Sequence, residues 1–370
     1  MATERSSTDV CKVIFMGSPD FAVPSLEALV RKGFDVCMVC TPPDKRRSRG
    51  GDPEPTAVKK KAIELGLPTV DVADVKDPVF CETLRSLDAD LSVVVAFRLL
   101  PKAVLDATRL GAVNIHASLL PAYRGAAPIH HAVLNGDKQT GCTLFMLNQA
   151  MDAGQILAQK TAPIHPNDTT GDVYERLQNV GAKLLVETLP AWNRGDIQPI
   201  SQDERLASAA PKVFSADGWL RLQQSAAQVH NQARAMTPSP GAWIKLDGDK
   251  VKILRTRLLE LRELQAFTQA MMEESIGEAQ DAGSSRQGSG NQGSWNQGTS
   301  RQSGVQPGSF AVWDKRLFLG CAEQSVVEIV SLQQPGKSAV SGYEFSLGKE
   351  VTSLRAKGVE SVESPDKTKK

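Results

Sequence analysis

The chain has 370 residues, enough for two domains and a sizeable core. Its composition, 41% hydrophobic and 23% charged, is that of an ordinary globular protein. A formal net charge of +1 excludes a global field for nucleic acid, so any such partner has to meet local patches.

The longest mainly apolar run, Leu91 to Phe97, is far too short to span a bilayer, and no membrane partner is expected. Six cysteines, at 11, 37, 40, 81, 142 and 321, have no framework spacing. Cys37 and Cys40 form a C-x-x-C inside FDVCMVC, but residues three apart on a strand face opposite ways, so they are no metal pair. Reduced, buried thiols in a reducing compartment are expected. Met1 to Asp9 is too short, and lacks the apolar core, for a secretory signal; it is also too short and too acidic for an organelle transit peptide.

Val13 to Met16 is a buried-type strand that runs into Gly17-Ser18-Pro19-Asp20-Phe21-Ala22. A helix is predicted from about Pro24 to Lys32, then a second strand over Phe34 to Thr41. Strand, Gly turn, helix, strand opens a doubly wound α/β sheet. Gly17-Ser18-Pro19 is not G-x-G-x-x-G, so no dinucleotide site is expected. Residues 42–55 are rich in Pro and Gly and form a long loop. From Asp44 to Lys61 seven basic residues stand against three acidic ones. Such a run is either a solvated charge run or a loop that contacts phosphates. A helix from about Thr56 to Leu65, a strand Thr69 to Val72 and a helix from about Pro78 to Leu87 continue the alternation. Leu91 to Ala96 then reads as a fully buried parallel strand.

The densest chemistry lies between Gly111 and Gln155. Val113 to Ser118 alternates as a short strand would, which sends Asn114 and His116 out on the same face. Leu119 to Gly125 is loop-like, a helix is predicted from about Ala126 to Asn135, and a strand from about Cys142 to Asn148 ends in Met151-Asp152-Ala153-Gly154. An amide, an imidazole and a carboxylate on strand ends and turns suit acyl transfer without a covalent enzyme intermediate. The Asn N–H donates to an oxyanion, the His donates or shuttles a proton, and the Asp keeps the His protonated or oriented. Ser118 shares the strand face but has no base of its own. On spacing alone the alternative stands beside this one: His116 a satisfied core histidine and Asp152 a turn former.

Beyond Asp152, Asn167 to Thr188 reads as an amphipathic helix capped by Asp168 or Thr169, and residues 199–210 as an extended linker. The domains expected are 11–198 and 211–357. In the second, a helix near Ser225 to Arg234 precedes a hairpin about Asp247-Gly248-Asp249, whose arm carries Lys250, Lys252, Arg255 and Arg257. That face is either merely solvated or an RNA-backbone face. Residues 281–306 repeat a Gln/Gly/Ser pattern that cannot bury a core, and they and the tail 358–370 are expected to be disordered.

NIHASLLPAYRGAAPI followed by MDAGQIL resembles the signature of the folate-dependent formyltransferases. Asn-x-His, SLLP-x-x-RG-AAPI and the D-x-G turn are all present. Gly17 to Ala22 is similar to the family's GTPDFA-type opening, RAMTPSPGAW to its RAFNPWPGAW, with Ser239 for Trp, and the closing Gln333 to Phe345 to its LQPEGK…FL pattern. The likeness covers about Cys11 to Lys357, apart from the repeat. It implies an α/β, Rossmann-like formyltransferase domain followed by a small OB-like β-barrel.

The implied reaction moves a formyl group from 10-formyltetrahydrofolate to the α-amine of methionyl initiator tRNA, with no metal. Asn114 and His116 stabilise the tetrahedral oxyanion, and Asp152 sustains the charge state of His116. The loop Ser118, Leu119, Leu120, Pro121, Ala122, Tyr123, Arg124 holds the folate. Arg46, Arg47 and Arg49, on a loop the family uses against the tRNA acceptor arm, and Lys250, Lys252, Arg255 and Arg257 contact the RNA. Two departures are visible: Gly51-Asp52 replaces the usual lysine pair, and the segment after Ala96, which lines the folate pocket in the family, is one residue shorter, with Phe97 for Tyr. A monomer in a bacterial cytoplasm is expected, otherwise a mitochondrial or plastid protein. The rival functions are a sugar-nucleotide formyltransferase, a formyltetrahydrofolate hydrolase and a non-catalytic RNA-binding relative.

Overall fold

Val13, Ile14, Phe15 and Met16 leave β1 (Lys12–Gly17) no face for water, and all four are fully buried. The computed structural model describes residues 11–46, 52–284, 305–347 and 356–357, with side chains for all of these but 274–284 and 356–357. After β1 comes α1 (Val23–Arg31), with Pro24 in its first turn, where a missing N–H costs nothing. β2 (Asp35–Thr41) is followed by a short antiparallel ribbon, β3 (Lys45–Arg46) with β4 (Pro53–Glu54). Thr56 then caps α2 (Ala57–Glu64). The alternation goes on through β5 (Thr69–Asp71), α3 (Pro78–Ser86), β6 (Leu91–Val95), α4 (Lys102–Leu105) and β7 (Ala112–His116). Beyond α5 (Pro128–Leu134) the chain doubles back as β8 (Gln139–Met146) and β9 (Ile156–Pro163), then enters α6 (Thr170–Asn193). Of the two candidate caps it is Thr169 that holds α6, in a capping box with Asp172.

These strands form one sheet in the order β5-β2-β1-β6-β7-β8-β9. Pairings from β5 to β7 are parallel, and those of β8 and β9 antiparallel. The chain leaves β1 for β2 on one side and comes back to β6 on the other. That reversal opens a crevice at the carboxyl ends of β1 and β6, where ligands bind in open α/β sheets.

The chain divides into two compact units: residues through Val133 with Asp137–Val213, and Leu134–Gly136 with the residues from Phe214 onward. Residues 199–210, expected as a linker, belong to the first. Ile200 exchanges backbone hydrogen bonds with Ile156 at 2.8 and 2.9 Å, and Ala210 N–H donates to the Arg124 carbonyl at 2.7 Å.

In the second unit Ser225 caps α7 (Ala226–Ala235), and β10 (Ala242–Leu246) joins β11 (Asp249–Arg257) through Asp247-Gly248. Positive φ at both turn residues, 51° and 90°, suits the tight hairpin that the Asp-Gly pair predicts. Then follow α8 (Leu261–Ser284), β12 (Phe310–Trp313), β13 (Arg316–Gly320), β14 (Val326–Gln333), β15 (Ala339–Ser341), α9 (Gly342–Ser346) and β16 (Ala356–Lys357). The sheet runs β12-β13-β14-β11-β10-β16, antiparallel throughout, with β15 on β14. Among the described residues β12 and β16 do not pair, and the second unit is an antiparallel β domain, as an OB-like, partly open barrel has. Of the expected repeat, residues 281–284 continue α8, and 285–304 lie outside the described residues, as does the tail.

A four-residue ion network fixes the start of α8. The Glu263 carboxylate accepts from Arg257 at 2.9 and 3.0 Å and from Arg316 at 2.8 Å, while Glu328 accepts from Arg257 at 2.7 Å. Arg257, by its hydrogen bonds first of all, holds the Glu263 carboxyl well below the usual carboxylate range. A depressed carboxyl stabilises the fold above its unfolded pKa, about 4.3, and loses that contribution as pH falls further. Glu263→Gln is therefore expected to lower the melting temperature at pH 7, with the gap to the parent narrowing from about pH 4 downward. Calorimetry at pH 7 and pH 3 checks this, and a constant gap contradicts it.

Candidate active site

β7 carries Asn114 and His116 on the face that opens to the crevice. Asn114 pairs in register with Val94 of β6 and Phe145 of β8, and its side-chain oxygen is buried without a protein partner. Leaving a buried amide oxygen unpaired costs about 1–3 kcal/mol. A native site tolerates that where a ligand supplies the missing hydrogen.

His116 is 6% exposed, its ring edge-on to Phe145. Its Nε2 lies 2.8 Å from the Tyr123 carbonyl oxygen, which can only accept, so Nε2 carries a proton. Nδ1 is then the nitrogen free to gain or give one, and it faces Asp152 Oδ2 at 3.7 Å.

Asp152 stands on the turn after β8 with φ 52°, a left-handed conformation that Asp tolerates better than most residues. Its Oδ2 accepts the Gly125 N–H at 2.8 Å. Gly125 has φ 127°, and a Cβ there would lie 2.6 Å from the Ala210 carbonyl oxygen, so only glycine fits. Gln202 braces the same turn by donating to the carbonyls of Asp152 and Gly154 at 2.9 and 2.8 Å.

Asn114, His116 and Asp152 all line one cavity of about 590 Å³, a size suited to a small-molecule substrate. Phe97, Leu99, Leu100 and Leu105 give it an apolar wall, and Phe21 and Tyr174 form another. Tyr174 O–H donates to Asp20 and accepts the Phe21 N–H, which ties α6 to the turn after β1. Ala96, at the start of the shortened segment, takes φ 49°, a conformation that costs a side-chain-bearing residue about 1–2 kcal/mol.

The loop 118–124, expected to hold the folate, packs behind the strand that carries His116. None of Ser118, Leu119, Leu120, Pro121, Ala122, Tyr123 and Arg124 lines the cavity. Their polar groups are spent on holding the loop behind His116. Ser118 Oγ donates to the Ala122 carbonyl at 2.6 Å, and Thr143 Oγ1 donates to the Ser118 carbonyl at 2.7 Å while accepting the Leu120 N–H. Tyr123 O–H donates to Asp137, and the Arg124 guanidinium is taken up by Gln202 and by both oxygens of Glu204. The loop therefore orients His116 through the Tyr123 carbonyl. The segment 96–100 lines the cavity.

Of the expected RNA contacts, Arg46 is exposed on β3, and Arg47 and Arg49 lie outside the described residues. Lys250, Lys252 and Arg255 are exposed on β11. Their uneven spacing suits one face because the register shifts on either side of Arg255. Arg257 is corrected: Glu263 and Glu328 neutralise it within the ion network, which leaves it no charge to offer a phosphate.

The formyl transferase family model matches residues 11–189, and the model for the formyl transferase C-terminal domain matches residues 212–350. A methionyl-tRNA formyltransferase of Porphyromonas gingivalis is 36% identical over 346 residues, which covers 91% of this chain and 95% of that protein. One from Chlorobium phaeovibrioides is 46% identical over 248 residues, 66% of this chain and 78% of that protein. Among solved structures, an N-formyltransferase from Helicobacter canadensis, in complex with folinic acid and dTDP-3-aminofucose, superposes with a TM-score of 0.59. At 17% identity, over 88% of this chain and all of that one, it shares the fold.

Proposed function

The chain belongs to the formyl transferase family, and we propose that it moves the formyl group of 10-formyltetrahydrofolate onto the amino group of methionyl initiator tRNA. The observation that carries the chemistry is the unpartnered Asn114 amide oxygen in the same cavity as His116 and Asp152. Likeness to a methionyl-tRNA formyltransferase across both units favours tRNA as the acceptor.

The donor supplies a formyl carbon open to attack by the amine, whose oxygen gathers negative charge as the bond forms. The wall Phe97, Leu99, Leu100 and Leu105 suits its flat ring system, and the orphaned amide beside that wall fits a polar group of the bound substrates. Asn114 would use both ends of its amide, the N–H toward the charged formyl oxygen and the carbonyl toward an N–H of the amine. His116 would work through Nδ1, since Nε2 is held by Tyr123. A proton there would serve the oxyanion, and Nδ1 faces the Asp152 carboxylate, which would offset an imidazolium charge. Asp152 is positioned in turn by Gly125 and Gln202, so the loop 118–125 and the strap 199–210 would act by holding the pair in register.

The RNA would lie against basic groups: the exposed Arg46 with Arg47 and Arg49 after it in sequence, and the exposed Lys250, Lys252 and Arg255. The relatives compared are bacterial, and we place the chain with them in a bacterial cytoplasm.

Labelled formyl transfer with methionyl initiator tRNA, free methionine and a sugar nucleotide as competing acceptors tests the reading. Label on the tRNA alone is expected, and label on the sugar nucleotide contradicts it.

A further inference from the structure

The ribbon that carries Arg46 is anchored at its base by a shared ammonium. Lys59, in the first turn of α2, places Nζ 2.8 Å from Asp44 Oδ1 and 2.8 Å from Asp71 Oδ2. Asp44 immediately precedes β3, and Asp71 ends β5, the edge strand beside β2. Lys59 is itself fixed at both ends, since its backbone N–H donates to the capping Thr56 hydroxyl.

Only 15% of its side chain is exposed, whereas Lys45 and Arg46 are exposed on the ribbon. The outgoing strand has a weaker tie, Glu54 to Lys60 at 4.0 Å between exposed groups. Lys59 thus has no charge left for an RNA phosphate, yet it joins the base of the ribbon to the sheet. The hydrogen bond from Lys59 to Asp44, and then that to Asp71, hold the amine protonated above the usual lysine range.

We propose that Lys59 is a positioning residue, which through Asp44 aims the Lys45–Arg46 strand at phosphates of the tRNA. The inference rests on the tRNA reading above. A cation contributes fully to binding only where it is already held in place, because ordering a loose strand at the moment of binding offsets the contact.

Asp44→Asn gives the decisive variant, since it loosens the tie on the ribbon side and leaves Lys59–Asp71 intact to keep the fold. Electrostatics alone would have this loss of a negative charge improve RNA binding. Loss of positioning instead raises KM for methionyl-tRNA about 3- to 10-fold, up to about 1.4 kcal/mol. The folate KM and kcat should stay within about twofold. Lys59→Met should act in the same direction, and Lys59→Arg, which can still bridge both carboxylates, should stay near the parent.

An unchanged or lowered tRNA KM in Asp44→Asn overturns the proposal. If Arg46→Ala raises that KM while Asp44→Asn does not, the clamp falls and the RNA contact stands. If neither variant moves it, the ribbon makes no phosphate contact and the clamp falls with it. A parent enzyme that does not formylate methionyl-tRNA at all removes the functional reading and this inference together.

Discussion

Asn114→Ala and His116→Ala are each expected to lower kcat about 10²-fold or more, roughly 2.7 kcal/mol of lost transition-state stabilisation. Asn114 contributes a buried amide whose oxygen has no protein partner, so truncation relieves an unpaired group in the resting fold while removing a donor to the oxyanion. The stability of Asn114→Ala should therefore change little while turnover collapses. His116→Ala differs, because the imidazole also satisfies the Tyr123 carbonyl and packs against Phe145. That variant should lose activity and some thermal stability together. Steady-state kinetics beside thermal melts read both, and near-parent turnover in either variant removes that residue from the chemistry.

Gly154→Ala should have an effect nearly as large although Gly154 does not line the cavity. A Cβ at this position would lie 1.6 Å from the Met146 carbonyl oxygen, so the backbone itself has to move. The displaced turn carries Asp152 two residues away, and the Gln202 amide bonds to the carbonyls of both. We expect a loss of about 2–4 kcal/mol in stability, together with a fall in kcat, as Asp152 drifts from His116. Gly33→Ala is the control, since its φ is 81° but nothing lies within 4 Å of the added carbon. It should cost only the left-handed penalty, about 1–2 kcal/mol, and leave kcat alone. Equal effects from the two substitutions would contradict the account of the turn.

Asn114, His116 and Asp152 were legible because they lie in one contiguous motif that resembles the formyltransferase signature; spacing alone left a core histidine and a turn former open. The parallel half of the sheet was legible from local pattern, through the apolar run Val13–Met16 and the mainly β-branched run Leu91–Val95. The cavity walls were legible only in part, through the family resemblance of the segment after Ala96. Phe21, Phe97 and Tyr174 meet there from three separate elements, and no spacing rule connects them. Pattern could not say which way the loop 118–124 faces. Its Ser, Tyr and Arg side chains suit a ligand as well as they suit the internal bonds they make.

The strap 199–210 read as a linker because Gln202 and Glu204 bond to residues far away in sequence. Strand β9 was missed because its second half, Lys160-Thr161-Ala162-Pro163, has no large apolar residue to mark a face at the sheet edge. Helix α8 was missed as well. Its packed stripe includes a glutamate, Glu263, which is partly buried because two arginines pair with it. Arg257 was misread for the same reason, since a charge on a strand gives no sign of its partner across the sheet.

The central claim, that this cavity passes a formyl group directly to the amine of methionyl initiator tRNA, is tested most directly by a mass balance. Donor consumed, formyl bound to tRNA and free formate released are measured in one reaction, for the parent and for the Asn114→Ala, His116→Ala double variant. The account predicts that tRNA-bound formyl equals donor consumed, that formate stays at background, and that all consumption falls about 10²-fold or more in the double variant. Formate released in step with donor loss, or transfer that survives in the double variant, would contradict it.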